Sequence, residues 1–150
     1  MVSKKEITYH DEIRQIINLP IDTPFICDLS EREFFMNIID NDEYRNKYHK
    51  YLSLLAKQYV MEGKLEKSIK TFTSEIQDIV GTEDNAHYKY TDFELAVKQL
   101  KLFLQRKAES VVAQLNGAVP SDRNSQESAA DKLIDTSDLD VRLMGEELGS

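Results

Sequence analysis

The sequence has few of the residues that carry covalent or metal-based stability. Its 150 residues include one cysteine, Cys27, and no tryptophan. A single thiol cannot form an internal disulfide or complete a cysteine-based zinc cage, so both kinds of stabilisation are excluded. We therefore expect packing of apolar side chains to stabilise the fold, and we interpret Cys27 as a small buried thiol.

Glycine is also scarce, and its five occurrences lie far apart along the chain. A phosphate-binding loop needs closely spaced glycines, because only a bare backbone can approach the phosphate oxygens. The sequence therefore predicts no nucleotide cradle, no cofactor-binding residue and no cofactor in this chain.

Long apolar runs and an excess of positive charge are absent as well. No stretch approaches the roughly 20 apolar residues of a membrane-spanning helix, and the first residues lack the apolar run of a signal peptide. The 27 acidic side chains outnumber the 19 basic ones and give a net charge of -8. This sign is opposite to that of proteins that bind phosphate backbones. We expect no signal peptide, no transmembrane segment, no membrane partner and no nucleic-acid partner.

Three histidines are present, but their spacing favours structural roles. His10, His49 and His87 lie too far apart for a metal motif that is local in sequence, so we interpret them as surface residues. The sequence around Cys27 offers no cation or helix terminus that would activate its thiol. We predict no catalytic residue among these four.

The acidic clusters are also better explained by structure than by metal binding. The run from Asp40 to Asp42 is typical of helix capping. Asp135, Asp138 and Asp140 lack the glycine turn and terminal glutamate of a calcium loop, and solvation explains them. Asp22 lies between two prolines and is assigned to a turn or cap. We predict no metal ligand in this chain.

Apolar residues recur at separations of three and four along three long stretches, which is typical of amphipathic helices. The predicted helices run from about Asp42 to Met61, from Lys64 to Gly81 and from Thr91 to Gly117. Capping boxes at Ser30–Glu33 and Thr91–Glu94 predict two helix starts. A short helix is expected around residues 11–17, before an extended stretch whose prolines interrupt any helix.

These elements predict an all-α fold. The economical arrangement is an antiparallel bundle of three long helices around one apolar seam, with one or two short preceding helices. The row of tyrosines on the second long helix and Leu100 on the last one are expected to lie in that seam. Arg106 and Glu109 are expected to form an ion pair, either exposed or buried between helices.

The predicted organisation has three parts. Residues 1–29 are an amino-terminal connector with a short helix, residues 30–117 form the bundle, and residues 118–150 form an acidic, partly disordered tail. The tail carries eight acidic and three basic side chains. Its low hydrophobicity favours disorder, whereas the apolar residues between Leu133 and Met144 favour docking onto the bundle. Removing it from Ser121 onwards is expected to cost little helix.

Six short segments occur in an order that matches one known family. They are NLPIDTP (18–24), DEYRNKYHKYL (42–52), YTDFE (90–94), RKAESV (106–111), QLNG with PS (114–117 and 120–121) and LIDTSDLD (133–140). In this order they resemble the carboxy-terminal part of the CotH family, which comprises inner spore-coat protein H and its relatives. These proteins are atypical protein kinases of the spore coat.

The resemblance implies a parent protein that uses ATP and a divalent metal to phosphorylate serines on other coat proteins. It also implies that the phosphate-binding lysine and the catalytic and metal-binding aspartates lie upstream of the matched region. No residue of this chain inherits those roles, so the chain alone is expected to be inactive. The chain then looks like the helical end of a CotH-type protein, as an excised piece, a truncated gene product or a split remnant.

Three hypotheses for function follow from the resemblance. The chain supports a catalytic portion that lies outside it, or it is an independent helical interaction module in spore-coat assembly, or it is a remnant without separate activity. The expected partners are the kinase portion, other spore-coat proteins and a second copy of the chain. The expected location is the spore coat or the mother-cell cytoplasm.

Overall fold

We describe the fold from a computed structural model, over residues 8–24, 32–82 and 89–145. These residues contain six α-helices and no strand, so the predicted all-α class is confirmed. Cys27, His87 and the helix start predicted at Ser30 lie outside the described residues. No helix in the described ranges is both long and apolar enough to cross a bilayer.

The six α-helices of the described residues are numbered in chain order. They are α1 (Tyr9–Ile17), α2 (Arg32–Ile39), α3 (Asp42–Leu54), α4 (Lys64–Thr82), α5 (Tyr90–Leu115) and α6 (Arg123–Ser128). A π-helical segment, π1 (Leu55–Met61), continues α3, and 3₁₀ turns cover Ala130–Lys132 and Val141–Met144. Gly63 then turns the chain into α4 with a φ of 81°, a conformation that favours glycine.

Side-chain caps explain where two of the helices begin. At α1, the Thr8 hydroxyl accepts a hydrogen bond from the Asp11 amide, and the Asp11 carboxylate accepts one from the Thr8 amide. At α3, the Asn41 side-chain oxygen accepts from the amides of Glu43 and Tyr44 at 3.0 and 3.2 Å. The first amides of a helix have no partner within it, so these bonds fix each start.

The cap predicted for α5 is wrong by two positions, because the N-cap residue is Lys89 and not Thr91. The helix begins at Tyr90, and the Asp92 carboxylate accepts from the backbone amide of Lys89 at 2.9 Å. Thr91 and Glu94 have the spacing of a capping box. The helix is capped by Asp92 instead, because its carboxylate accepts the hydrogen bond from the free backbone amide of Lys89.

Helix α5 is the central element of the described chain. Residues 46–57 of α3 and π1 lie beside residues 112–116 of α5, and residues 60–69 lie beside residues 98–105. Further along α4, Val80 lies near the start of α5. The chain from α3 through π1 to α4 therefore runs antiparallel to α5. α3 and π1 lie against the carboxy-terminal half of α5, and α4 lies against its amino-terminal half. The finer prediction of three helices around one common seam is not confirmed.

The buried apolar residues form two clusters on different sides of α5. One comprises Ile21, Ala56, Ala108 and Val111, and the other comprises Ile13, Ile17 and Leu139. The first joins α5 to π1, and the second joins α5 to α1 and to the carboxy-terminal segment. Much of the remaining apolar surface of the long helices is uncovered.

Several residues expected in the core are exposed. Tyr51 and Tyr59 face solvent on α3 and π1, whereas Tyr48 is half-buried, so the tyrosine row is not a core stripe in this chain. Leu100 is 39% exposed and Phe72 of α4 is 66% exposed. The helical spacing was correct, but no described element lies on these faces.

The carboxy-terminal segment is packed rather than solvated over the described residues 118–145. Leu139 and Val119 are each 2% exposed, and Ile134 lies against the second cluster. Of the two alternatives for this segment, docking is therefore the one that the structure shows. A few apolar side chains at the right positions hold residues 118–145 on α1 and α5 despite their acidic composition, and the predicted partial disorder of the tail is not confirmed.

Candidate functional site

Asn18 lies at the carboxy-terminal end of α1, and its side chain bonds to the backbone of a distant segment. Its amide nitrogen donates to the carbonyls of Arg14 and Ile134, both at 3.0 Å. Its side-chain oxygen accepts from the amide of Ile134 at 2.8 Å and from the Ser110 hydroxyl at 3.3 Å. The Asn18 side chain therefore hydrogen-bonds to both the N–H and the C=O of Ile134. Asn18 itself is buried, with 1% exposure.

Gln114 of α5 makes the matching bonds to the stretch that follows α1. Its side-chain oxygen accepts from the Ile21 amide at 2.9 Å, and its side-chain nitrogen donates to the Leu19 carbonyl at 3.3 Å. The same nitrogen donates to the Ser110 hydroxyl at 3.1 Å, which links Gln114 to Asn18. We call this connected set, Asn18, Leu19, Ile21, Ser110, Gln114 and Ile134, the junction.

The local sequence explains why the junction needs buried polar side chains. The amides of Asn18 and Leu19 still bond to carbonyls of α1. Pro20 keeps residues 20–24 out of a helix, so the backbone groups from the Leu19 carbonyl onwards have no helical partner. A buried backbone group without a partner costs about 1–3 kcal/mol, and Gln114 and Asn18 supply the partners here. The junction therefore holds an extended segment between α5 and the carboxy-terminal residues.

Lys107 of α5 binds the carboxy-terminal end of α1. Its ammonium group donates to the carbonyls of Ile16 and Ile17 at 2.9 and 3.1 Å. These carbonyls carry the partial negative charge of the helix end, which favours a cation there. Burial disfavours the charged amine and lowers the pKa of Lys107 to about 8.

Asp22 and His49 form a second link between the extended segment and α3. His49 Nε2 lies 2.7 Å from Asp22 Oδ1, and the neighbouring Tyr48 hydroxyl donates to the Ile21 carbonyl at 2.9 Å. Burial raises the pKa of Tyr48, and the charge of Asp22 raises it further. The Asp22 amide also donates to the carbonyl of Ser121 at 2.9 Å. Asp22 is thus a hydrogen-bond partner for His49 rather than only a turn residue.

Arg106 joins α5 to the carboxy-terminal segment by charge. Its guanidinium lies 2.7 Å from the Glu109 carboxylate and 2.6 Å from the Asp138 carboxylate. These two hydrogen bonds raise the pKa of Arg106. The ion pair predicted between Arg106 and Glu109 is present, and it is half-buried rather than fully exposed or fully buried. Asp138, for which only solvation was predicted, is a second partner of Arg106.

Asp140 is a further carboxylate with a specific partner. Its side chain accepts from the Arg142 guanidinium at 2.7 Å and from the Tyr9 hydroxyl at 3.2 Å. The hydrogen bond from Arg142 is the main reason that the pKa of Asp140 is lowered to about 2. The Tyr9–Asp140 hydrogen bond holds the end of the described chain on α1, and the Arg106–Asp138 pair holds it on α5.

The segments that meet at these contacts are those that resemble one family in sequence. A comparison with protein-family models matches residues 15–111 to the family described as CotH kinase protein. The chain belongs to the CotH family. No curated protein and no solved structure matches the chain significantly.

The CotH match covers the larger part of the junction and its links. Asn18, Asp22, His49, Lys107 and Ser110 all lie within residues 15–111. The carboxy-terminal segment that pairs with Asn18 lies after them in sequence and packs against them in space. The matched residues of this CotH chain therefore bond both to one another and to the residues that follow them in sequence.

Sequence reasoning named no catalytic, cofactor-binding or metal residue, and it missed the residues that build the junction. Within the described ranges, no group of three or more His, Cys, Asp or Glu side chains is arranged to hold a metal. The available signal was on α5, where Ser110 and Gln114 stand four residues apart on the same face as the buried Val111. Polar side chains inside an apolar stripe indicate a buried polar contact.

Proposed function

We propose that this chain is the carboxy-terminal helical part of a CotH-like spore-coat protein kinase and supports a catalytic portion that lies outside it. The observation that carries the proposal is the junction. There, the polar groups of the family-like segments form hydrogen bonds with each other and with the chain backbone. Groups that are fully engaged in this way hold a fold together and are not free to act on a substrate.

The exposed face of α3 and π1 supports an architectural role. Tyr51, Leu55 and Tyr59 are all exposed on it. Large apolar patches are uncommon on proteins that work alone and usually mark a contact surface. The same helix carries Tyr48 and His49, which bind the extended segment 18–24. A catalytic portion seated on this face would be fixed directly to the junction.

In this proposal, ATP, the divalent metal and the phosphorylated serine substrates belong to the catalytic portion. The chain by itself transfers no phosphate. Its place of action is the spore coat or the mother-cell cytoplasm, where such a kinase would meet coat proteins.

A reconstitution experiment tests the proposal. The purified chain is incubated with labelled ATP, magnesium or manganese, and a serine-rich coat protein, with and without the catalytic portion of a CotH-family kinase that ends before these helices. We expect no phosphate transfer by the chain alone and a gain of activity when both parts are mixed. Reproducible transfer by the chain alone would contradict the proposal.

Variants locate the contact. Replacing Tyr51 and Tyr59 by Ser should weaken the gain of activity at least tenfold, because both side chains lie on the proposed contact face. Phe72→Ser on α4 is the matched control, since it also removes an exposed aromatic side chain. Equal losses in both variants would count against the assigned face.

A second candidate function is an independent helical module that associates with coat proteins or with a second copy of the chain. The row of exposed apolar residues on α4 favours it, since Phe72, Ile76 and Ile79 are all more than 40% exposed. Light scattering over a range of concentrations and pull-down with purified coat proteins test this function. A monomer at every concentration that retains no coat protein would exclude it.

A further inference from the structure

A groove between α3 and the end of α5 differs in charge from the rest of this acidic chain. Its volume is about 350 Å³, and its polar lining includes His49, Lys50, Ser53, Lys57 and Asn116. No carboxylate lines it, although the whole chain has a net charge of -8. Two lysines and a histidine therefore converge on a space large enough for a phosphate group.

The sequence places these side chains together by helical spacing. His49 and Lys50 are followed by Ser53 and Lys57 at separations of three and four, so all four lie along one face of α3 and π1. Among the described residues, no carboxylate lies within ion-pair distance of Lys50 or Lys57. Lys47, one turn away, is in contrast paired with Glu43 at 2.6 Å.

Neighbouring contacts orient two of the polar side chains that line the groove. Asp22 holds His49 through Nε2 at 2.7 Å, which fixes the position of the ring. The side-chain oxygen of Asn116 accepts from the Ala118 amide at 3.0 Å, which directs the side-chain nitrogen, a donor, to the groove. Both side chains therefore have a set orientation beside the two lysines.

The carbonyl end of α5 lies at the same groove and would repel an anion if it were unpaired. Its carbonyls are occupied instead. The Ala113 carbonyl accepts from the amides of Ala118 and Val119 at 2.9 and 3.1 Å, and the Gln114 carbonyl accepts from the Gly117 amide at 3.2 Å. These bonds give two of the last carbonyls of α5 a partner and so reduce the negative charge that they present to the groove.

We propose that this groove binds a phosphate group, with Lys50 and Lys57 as the charged donors, Asn116 as the oriented neutral donor and His49 in the wall beside them. The ligand is either free phosphate or a phosphorylated serine side chain, since both present the same oxygens. The site goes beyond the supporting role and requires no catalytic portion. It can therefore be present or absent whether or not the supporting role is correct.

Nuclear magnetic resonance of the full chain tests the site. Inorganic phosphate is titrated at constant pH and ionic strength while the ring resonances of the histidines are followed. We expect saturable shifts at His49 and none at His10, which is exposed on α1 and serves as an internal control. Parallel titrations with a phosphoserine peptide and its unphosphorylated form show which source binds more tightly.

Matched lysine variants complete the test. Lys50→Gln and Lys57→Gln should each weaken phosphate binding roughly tenfold, the loss expected for one charge-assisted hydrogen bond. Lys67→Gln on α4 removes an exposed lysine outside the groove and should leave the affinity unchanged. The absence of saturation at His49 with either ligand, or an equal loss in Lys67→Gln, would overturn the proposal. Circular dichroism establishes that each variant is folded.

Discussion

Helix α1, which leads into the junction, and helix α4 have a similar spacing of apolar residues but differ in how far those residues are buried. Ile17, beside the junction, is 0% exposed, whereas Ile79 of α4 is 60% exposed. Both residues stand on amphipathic helices of comparable pattern. The difference shows that periodicity defines which side of a helix is apolar, and that another segment must supply the cover.

At the junction, the cover comes from segments that are not themselves long helices. The extended stretch after α1 and the residues around Leu139 lie against α5, and buried polar side chains satisfy their backbones. On α4, in contrast, Phe72 and Ile76 remain 66% and 42% exposed. The four predictions below test this contrast.

The largest effect is expected from removing residues 121–150. The deletion takes away Leu139 and the backbone partners of Asn18, and it exposes Ile13 and Ile17. Each uncovered isoleucine costs about 2 kcal/mol, so the total approaches the stability of an ordinary domain. We expect loss of cooperative thermal unfolding by circular dichroism.

The matched control for this deletion removes only residues 146–150 and keeps every contact described here. It should unfold at nearly the wild-type temperature. An unchanged midpoint in the long deletion would show that the carboxy-terminal segment contributes little packing.

A pair of identical substitutions compares the two regions directly. Ile17→Ala should lower the free energy of unfolding by about 2–4 kcal/mol, because it leaves a cavity in a closed cluster. Ile79→Ala should change it by less than about 0.5 kcal/mol, because the side chain is mostly in water. Urea denaturation of both variants measures the contrast, and equal losses would contradict it.

Lys107 predicts a pH dependence that belongs to the junction side alone. Its pKa is lowered to about 8 in the folded chain, so the unfolded chain retains this proton to higher pH. Stability therefore rises with pH above about 8, because the cost of burying the charge disappears as the folded amine loses its proton. Below that pH the cost is present in full.

The measurement compares wild type with Lys107→Met by urea denaturation between pH 7 and pH 10. Across this range, the free energy of unfolding of the wild type should rise by up to about 2 kcal/mol more than that of the variant. The other ionisable groups are the same in both proteins, so their contributions cancel in the difference. A constant difference would show that the amine is not desolvated.

The smallest effect is expected at Leu100, which the sequence assigned to the core. Because the side chain is 39% exposed, Leu100→Asp should destabilise by about 1 kcal/mol or less. Leu139→Asp is the matched variant, and it should prevent folding because it buries an unpaired charge. A severe loss in Leu100→Asp would show that another element covers this part of α5.

The sequence was sufficient to predict α1 to α5, but it missed α6 in the carboxy-terminal segment and was insufficient to predict how the helices pack. Helical spacing and glycine at position 63 located α3, π1 and α4 to within a few residues, since these signals are local. The burial of Leu139 and the exposure of Tyr51 depend on contacts between residues far apart in sequence. Local composition carries no information about such contacts.

The polar contacts were harder to predict for a different reason. The pairing of Asp22 with His49 joins residues 27 positions apart, and neither has a motif around it. Ser110 and Gln114 interrupt an apolar stripe, which in hindsight indicates a buried polar cluster. The segments that resemble the CotH family were the most useful guide, because they are the ones that meet at the junction.

The contacts of α1 have a consequence for the order of folding. Tyr9 bonds to Asp140 across 131 positions, and Asn18 bonds to Ile134 across 116. On the ribosome, the first helix is therefore made long before its partners emerge from the exit tunnel. Closing so large a loop is slow, so nascent chains pass through a stage in which α1 is unprotected and open to chaperones or proteases.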